Sequence, residues 1–215
     1  VVYEQGNSYE VCLVGDAAAF NQIKVGSNGS DLNISKTGNM IGNVYVDTSE
    51  SSKKCDVILE VKAPDVSVFN IAGSGQLVVG KMKSTAVTFN QAGSGKIAVS
   101  QVVADHANFN NAGSGRIFID DVKADYVGLT MNGSGTITCR TCKATNLNCV
   151  LTGSGCISVS GKVGSYKNTV IGSGTLNDSM LKYDKLIDLG RNVNVGNTYN
   201  SRRQDSPDGV INARP

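Results

Sequence analysis

Cysteine offers the most chemistry in this sequence, which contains six of these residues among 215. An even number of cysteines is typical of disulfide-bonded extracellular proteins, and we predict disulfides here. Two alternatives stay open, namely buried free thiols and a four-thiolate zinc site, although the spacing of the last four cysteines is unusual for zinc. A redox Cys-x-x-Cys would require a βαβ setting, which the sequence lacks. The disulfide candidates are Cys12, Cys55, Cys139, Cys142, Cys149 and Cys156.

Carboxylates near the single histidine, His106, form the second group able to do chemistry. Polysaccharide lyases and hydrolases built on β-helices use clustered carboxylates, or a basic residue over an acidic calcium site. A solvated acidic face is the simpler interpretation here, so we predict no catalytic residue, no metal site and no cofactor. A polysaccharide-binding or polysaccharide-degrading enzyme is kept as the alternative function. The aspartates concerned are Asp105, Asp120, Asp121 and Asp125.

Four N-glycosylation sequons are the third feature, at Asn28, Asn33, Asn132 and Asn177. They are candidates only in a eukaryotic secretory pathway. Asn132 directly precedes a Gly-Ser-Gly tripeptide and would be excluded if its position packed inward.

A repeat must position all of these residues. Gly-Ser-Gly begins at five positions spaced by 20, from Gly73 to Gly153, and a sixth copy at Gly172 comes one residue early. A fixed period of this length is the signature of a solenoid, in which each repeat forms one coil. The glycines expected at the turns are Gly73, Gly75, Gly93, Gly95, Gly113, Gly115, Gly133, Gly135, Gly153 and Gly155.

Apolar residues alternate with polar ones inside each repeat. Leu77 and Val79 form one pair, and Val87 and Phe89 form a second pair ten residues later. Period-two alternation predicts strands with one buried face. Short strands at a fixed period, without a crossover helix, predict an all-β fold: a right-handed parallel β-helix with 20-residue coils and atypical capping termini.

Two polar columns follow from this stacking. The serines of the tripeptides are expected to form a column of hydroxyl groups at one corner. Asn70, Asn90 and Asn110 also recur at 20 and are expected to form an asparagine ladder. Because these residues recur in coil after coil, we interpret both columns as structural.

Weaker extensions of the pattern set the domain boundaries. We predict an N-terminal cap or coupling segment over residues 1–28, β-helix coils over 29–176, a C-terminal cap over 177–200, and a polar tail or docking arm over 201–215. The stretch from Leu181 to Leu189 is expected to form a short helix or one last strand. Early, irregular coils are expected at Leu32 and Ile34, Val44 and Val46, and Val57 and Leu59.

Charge and hydropathy argue against two classes of partner. Twenty Lys and Arg against 18 Asp and Glu give a net charge of +2. The basic residues form no stripe along the sequence, so nucleic-acid binding is not expected. No segment approaches the roughly 20 apolar residues of a membrane span, so none is expected. The start at Val1 rather than Met is interpreted as a processed N-terminus.

The repeated motif Gly-Ser-Gly-x-Ile-x-Val, as in Gly93 to Val99, with a second apolar pair following, resembles the putative auto-transporter adhesin head, GIN-domain family. The resemblance covers about Val57 to Leu176. It implies a secreted or surface-attached β-helical domain and supplies no catalytic residues.

The function predicted from these features is a non-catalytic, secreted, structural or adhesin-like protein at the cell surface or in the extracellular matrix. Its partners are expected to be surface or matrix components, or other copies of the chain. Val1 to Gln5 and Ser201 to Pro215 are the segments expected to couple copies head to tail into filaments.

Overall fold

The computed structural model describes residues 1–15, 23–27, 31–36, 39–41, 44–46 and 58–192. The chain divides into two compact units, one formed by Val1–Tyr9 and Lys62–Pro215 and the other by Glu10–Val61. Every regular element in the described part is a strand. They are β1 (Val2–Gln5), β2 (Glu10–Val14), β3 (Ile23–Ser27), β4 (Leu32–Lys36), β5 (Asn39–Ile41), β6 (Val44–Val46), β7 (Ile58–Ala63), β8 (Val68–Gly73), β9 (Gln76–Gly93), β10 (Lys96–Gly113), β11 (Arg116–Gly133), β12 (Thr136–Gly153), β13 (Cys156–Ile171) and β14 (Thr175–Asn192).

The first unit is a solenoid in which β9 to β14 each form one coil. Successive coils pair in parallel, and residues at the same position of the repeat lie side by side. Ile97, for example, lies between Leu77 of the preceding coil and Ile117 of the following coil. The sheet order runs from β14 through β13, β12, β11 and β10 to β9, and β8 also pairs with β9. The predicted all-β parallel β-helix with coils of about 20 residues is therefore confirmed.

Each coil has three sides, which the burial pattern reveals. In β9 the alternation of buried and exposed residues is interrupted after Val79 and again after Ser84, where two consecutive residues face outward. The chain must turn at each interruption for the next buried side chain to point inward. The three sides are named from β9: face A is 76–80, face B is 81–85 and face C is 86–92.

The interior is filled by columns of apolar side chains, one from each inward position. Phe69, Phe89 and Phe109 stack with ring centroids 4.8 and 5.1 Å apart, and Tyr3 packs edge-on against Phe69 at 5.0 Å. Each fully buried aromatic of this size contributes roughly 2–3 kcal/mol of hydrophobic stabilisation. The column of Met82, Val102, Val122 and Cys142 on face B is also buried.

The Gly-Ser-Gly tripeptides stack at the corner where face C ends. The amide N–H of Gly135 donates to the carbonyl oxygen of Gly113 at 2.9 Å, and equivalent bonds recur along the corner. Gly113 has φ of +128°, and a Cβ there would lie 2.7 Å from the carbonyl oxygen of Gly93. Glycine is required at this corner because both the backbone conformation and the coil-to-coil distance exclude a side chain.

The early sixth tripeptide results from a deletion in β13. Cys139 pairs with Val159 and Cys142 pairs with Gly161, so one residue of β13 replaces two of β12 at the turn between faces A and B. Gly161 takes up the change with φ of +130°. The corner at Gly172 is restored one residue early as a result.

The N-terminal strand belongs to the solenoid rather than to a separate cap over 1–28. Val2 and Tyr3 of β1 pair in parallel with Val78 and Val79 of β9. The N-terminal amine donates to the carbonyl oxygen of Gln76 at 2.7 Å, and the Tyr3 hydroxyl donates to that of Ala63 at 3.1 Å. β1 therefore supplies face A of the coil that precedes β9.

The second unit contains two antiparallel strand pairs where early coils were expected. Val25 of β3 pairs with Ile34 of β4, and Met40 of β5 pairs with Tyr45 of β6. The physical reason lies in the connections: only Gly42 and Asn43 separate β5 from β6 in the sequence. Two residues suffice for a hairpin, whereas parallel strands need a long crossover. β2 pairs with β7, of which residues 58–61 also belong to this unit.

The coils continue beyond the predicted limit of residue 176. β14 runs from Thr175 to Asn192 and pairs in parallel with β13, with Leu176 beside Ile157 and Leu186 beside Tyr166. The stretch expected to form a short helix or a last strand is thus part of a complete further coil. The predicted tail over 201–215 lies outside the described residues.

Candidate functional site

A row of lysines runs along face B of the solenoid. The strand register places Lys83, Val103, Lys123, Lys143, Lys162 and Lys182 at one position in six successive coils. The five lysines, all exposed, are called the lysine row. Neighbouring members are separated by the spacing of the coils, about 4.8 Å, except where Val103 intervenes. The expectation that basic residues form no stripe is therefore wrong, because coiling aligns residues that lie about one repeat apart.

A shallow groove of about 510 Å³ accompanies the lysine row over four coils. Its floor is the strand at a column of alanines, which the alternation of side chains places between two outward-facing rows. One wall is formed by the lysines of the row and the other by Asp125 and Thr145. The floor residues are Ala104, Ala124 and Ala144.

The groove is predominantly positive. Lys123, Lys143 and Lys162 line it together with a single carboxylate, that of Asp125. Lys143 Nζ lies 3.9 Å from Asp121 Oδ1, and its side chain is 60% exposed. The Asp121 side chain is only 28% exposed, so at Lys143 another anion would have to compete with this carboxylate.

Two of the four aspartates singled out in the sequence contact neighbouring coils. Asp120 Oδ1 lies 3.2 Å from Arg140 Nη1, and the Gln101 amide donates to Asp121 Oδ2 at 2.8 Å. Asp105 and Asp125 occupy the same position of face B in adjacent coils. The His106 ring lies 6.0 Å from the Tyr126 ring. The contacts of Asp120 and Asp121 pair charges and amides between coils at the turn between faces A and B.

The cysteines are thiols in the described part of the chain, where none of the predicted disulfides is formed. Cys139, Cys142 and Cys149 are buried in coil β12, Cys156 is half-buried and Cys12 is exposed. Cys55 lies outside the described residues. The alternative of buried free thiols therefore describes the three core cysteines, which occupy positions filled mainly by Val, Ile, Leu, Met or Phe in other coils. No cluster of three or more metal-binding side chains occurs among the described residues.

The surroundings of Cys139 and Cys149 favour the protonated thiol. A hydrogen bond with Cys142, together with burial, raises the pKa of the Cys139 thiol well above its usual value. Burial also raises the pKa of the Cys149 thiol. Neighbouring Tyr166 is buried, and its hydroxyl donates to Asp178 Oδ2 at 3.0 Å. Neutral thiols pack as small apolar side chains, so this cluster supports the core rather than a reaction.

The two predicted polar columns lie on the surface. The Asn90 amide donates to Asn70 Oδ1 at 2.8 Å, and the Asn110 amide donates to Asn90 Oδ1 at 2.9 Å, which confirms the asparagine ladder. At the tripeptide corner, Ser114 Oγ and Ser134 Oγ are 3.3 Å apart.

Three of the four sequon asparagines are exposed: Asn33, Asn132 and Asn177. At the corner before the tripeptide it is Met131 that points inward, so Asn132 faces solvent. Asn28 lies outside the described residues.

A family model described as "Putative auto-transporter adhesin, head GIN domain" matches residues 1–175. No curated protein matches the chain. Among the described residues, no helix has the length and apolar character needed to cross a membrane.

Proposed function

The chain belongs to the putative auto-transporter adhesin head, GIN-domain family, and from this membership we propose that it is a secreted, non-catalytic adhesin that binds polymers of a cell surface or matrix. The observation that carries the proposal is the repetition of exposed side chains, above all the lysine row, which recurs in five of six coils. Repeated weak contacts along a rigid ladder add up when the partner is itself a repeating polymer.

A binding and turnover experiment tests this proposal against the enzyme alternative. The full chain is incubated with insoluble polysaccharides of acidic and neutral type and with fibrillar matrix protein, and the bound fraction is measured. The proposal expects retention of folded protein on at least one polymer, with no new reducing ends or unsaturated products released. Release of such products would support the polysaccharide-degrading enzyme, and retention on none of the polymers would contradict the adhesin.

Self-association into filaments is a second proposal, which the edge of the ladder favours. β14, of 18 residues, is the last strand of the sheet order in the described part. Edge strands of that length pair readily with further strands unless they are covered. Val1 to Gln5 cannot serve as the coupling segment in this arrangement, because β1 is paired with β9 of its own chain.

Light scattering of the full chain over a wide concentration range tests self-association. The proposal expects the mass to grow with concentration, and expects that growth to be reduced when Met180, which is 78% exposed on β14, is replaced by Lys. A constant monomer mass at all concentrations would contradict it.

A further inference from the structure

The lysine row places a positive charge at the same position of successive coils. A general adhesive surface does not require this regularity. Lys123, Lys143, Lys162 and Lys182 follow one another without interruption along four coils. At about 4.8 Å per coil, these four positions extend over roughly 14 Å. An isolated small anion can contact only one or two of them, whereas an extended polyanion can contact all four.

The groove beside the row carries two kinds of polar group. It has a floor of alanines, one wall of lysines, and a second wall that carries Asp125 and Thr145. The carboxylate of Asp125 repels an anionic group placed against it but accepts a hydrogen bond from a hydroxyl group. The partner that suits both walls therefore carries anionic groups along one edge and hydroxyl groups along the other.

We infer that the lysine row and its groove bind an extended acidic polysaccharide, with the sugar's anionic groups on the lysines and its hydroxyls toward Asp125 and Thr145. This inference rests on the proposed adhesin function and names the class of polymer. Nucleic acid fits the same surface less well. Single-stranded nucleic acids bind grooves in which aromatic side chains stack on the bases, and the residues that line this groove are Val, Ala, Lys, Asp and Thr.

The test compares two triple variants that remove the same charge. In the row variant, Lys123, Lys143 and Lys162 are replaced by Gln; in the control, Lys96, Arg116 and Lys167 on faces A and C are replaced by Gln. All six side chains are exposed, but the row variant also removes the ion pair between Lys143 and Asp121. Thermal unfolding of both variants therefore serves as the control for folding, and binding is compared at a temperature where both are folded. Binding to polygalacturonate, dextran sulfate, neutral dextran and poly(dT) is measured by titration calorimetry at low and at physiological salt.

The inference expects wild-type binding to polygalacturonate that the row variant weakens roughly tenfold or more and the control changes less than about threefold. Neutral dextran is expected not to bind, and added salt is expected to weaken binding to the acidic polymers. Equal losses in both triple variants would show a response to net charge alone and would overturn the inference. Tighter binding of poly(dT) than of polygalacturonate would also overturn it, in favour of nucleic acid.

A gain-of-function variant extends the test without removing any lysine. Val103 is the one interruption of the row, and Val103→Lys joins Lys83 to the four lysines beyond it. We expect this variant to bind polygalacturonate about twofold to fivefold more tightly. No gain, or a loss, would count against the row as the binding element.

The failure of this inference is distinguishable from that of the adhesin proposal. If wild type and row variant are retained equally on surface polymers, the lysine row is not the binding face and the adhesin proposal stands. If polygalacturonate binds in solution through the row but the protein is retained on no surface polymer, the inference stands and the adhesin proposal fails.

Discussion

At the scale of single residues, the corner glycines from Gly93 onward cannot be replaced without a steric clash, whereas the core positions accept either a thiol or a larger apolar side chain. The first glycine of the tripeptide leaves no room for a side chain, since a Cβ on Gly113 or Gly133 would lie 2.7 Å from the backbone of the preceding coil. The core accepts cysteine in place of larger apolar residues because burial keeps its thiol neutral. The repeat of Gly-Ser-Gly in the sequence predicted turn glycines at this corner, where the first glycine of each tripeptide from Gly73 to Gly153 has positive φ. The even number of cysteines predicted disulfides, whereas the described cysteines are free thiols. The number of cysteines carries no information on which thiols the coil directs inward.

Replacing Gly113 by Ala separates the effect of the clash from that of the backbone conformation. Gly73 also has positive φ, but nothing lies within 4 Å of a Cβ there. We expect Gly113→Ala to lower the free energy of unfolding by about 2 kcal/mol or more, and Gly73→Ala by about 1 kcal/mol. Urea unfolding of both variants measures the difference. Equal losses would mean that the stacked corner adds nothing beyond the φ requirement.

The core thiols are expected to make stability fall at high pH. The pKa of Cys139 and of Cys149 is raised in the folded protein from a reference value of 9.0. The unfolded chain releases these protons first, so their contribution is fully present below pH 9 and is lost as pH rises above it. Chemical unfolding between pH 7 and pH 10.5 checks this. Cys149→Val should show a shallower decline than wild type, and an identical decline would contradict the assignment.

At the scale of elements, the alternating pairs of faces A and C were predictable, whereas face B was not. Val79 and Met82 are three residues apart, so the buried residue of face B breaks the period-two pattern that identifies strands. The lysine row lies on that same face and was missed for the same reason. Its signal is present in the sequence, at a spacing of about 20 between Lys123, Lys143 and Lys162, once charged residues are compared at the period of the repeat.

The N-terminal strand β1 is the other element that the pattern did not reveal. Its alternating stretch is short and is separated from the coils by residues 10–61, so no local signal links it to β9. β1 is nevertheless closely packed, since Tyr3 is 2% exposed and its ring packs against that of Phe69. This arrangement makes β1 part of the folded solenoid rather than a free coupling arm.

Substitution of Tyr3 tests the role of β1. Tyr3→Ala removes a buried aromatic and is expected to destabilise the protein by about 3–4 kcal/mol. Tyr3→Phe, the matched control, removes only the hydrogen bond to Ala63 and is expected to cost about 1 kcal/mol. Thermal unfolding monitored by circular dichroism measures both. A melting temperature unchanged in Tyr3→Ala would show that β1 does not belong to the cooperative unit.

At the scale of the whole molecule, the sequence predicted the fold class and the family, and the structure added the surface that coiling creates. Parallel stacking converts a sparse set of lysines, in a chain of net charge +2, into a continuous positive row. A polymer-binding surface of this kind depends on register, so it cannot be read from net charge or from runs of basic residues. The proposed adhesion therefore depends on the parallel register of the coils, because that register aligns the lysines.

Retention under flow is the measurement that tests adhesion most directly. Beads coated with the full chain are passed over surfaces of polygalacturonate and of neutral dextran, and the shear needed to detach them is recorded. The account predicts firm retention on polygalacturonate, weak retention on dextran, and loss of the difference when Lys123, Lys143 and Lys162 are replaced by Gln. Detachment of wild-type beads from both surfaces at the shear that removes uncoated beads would contradict it.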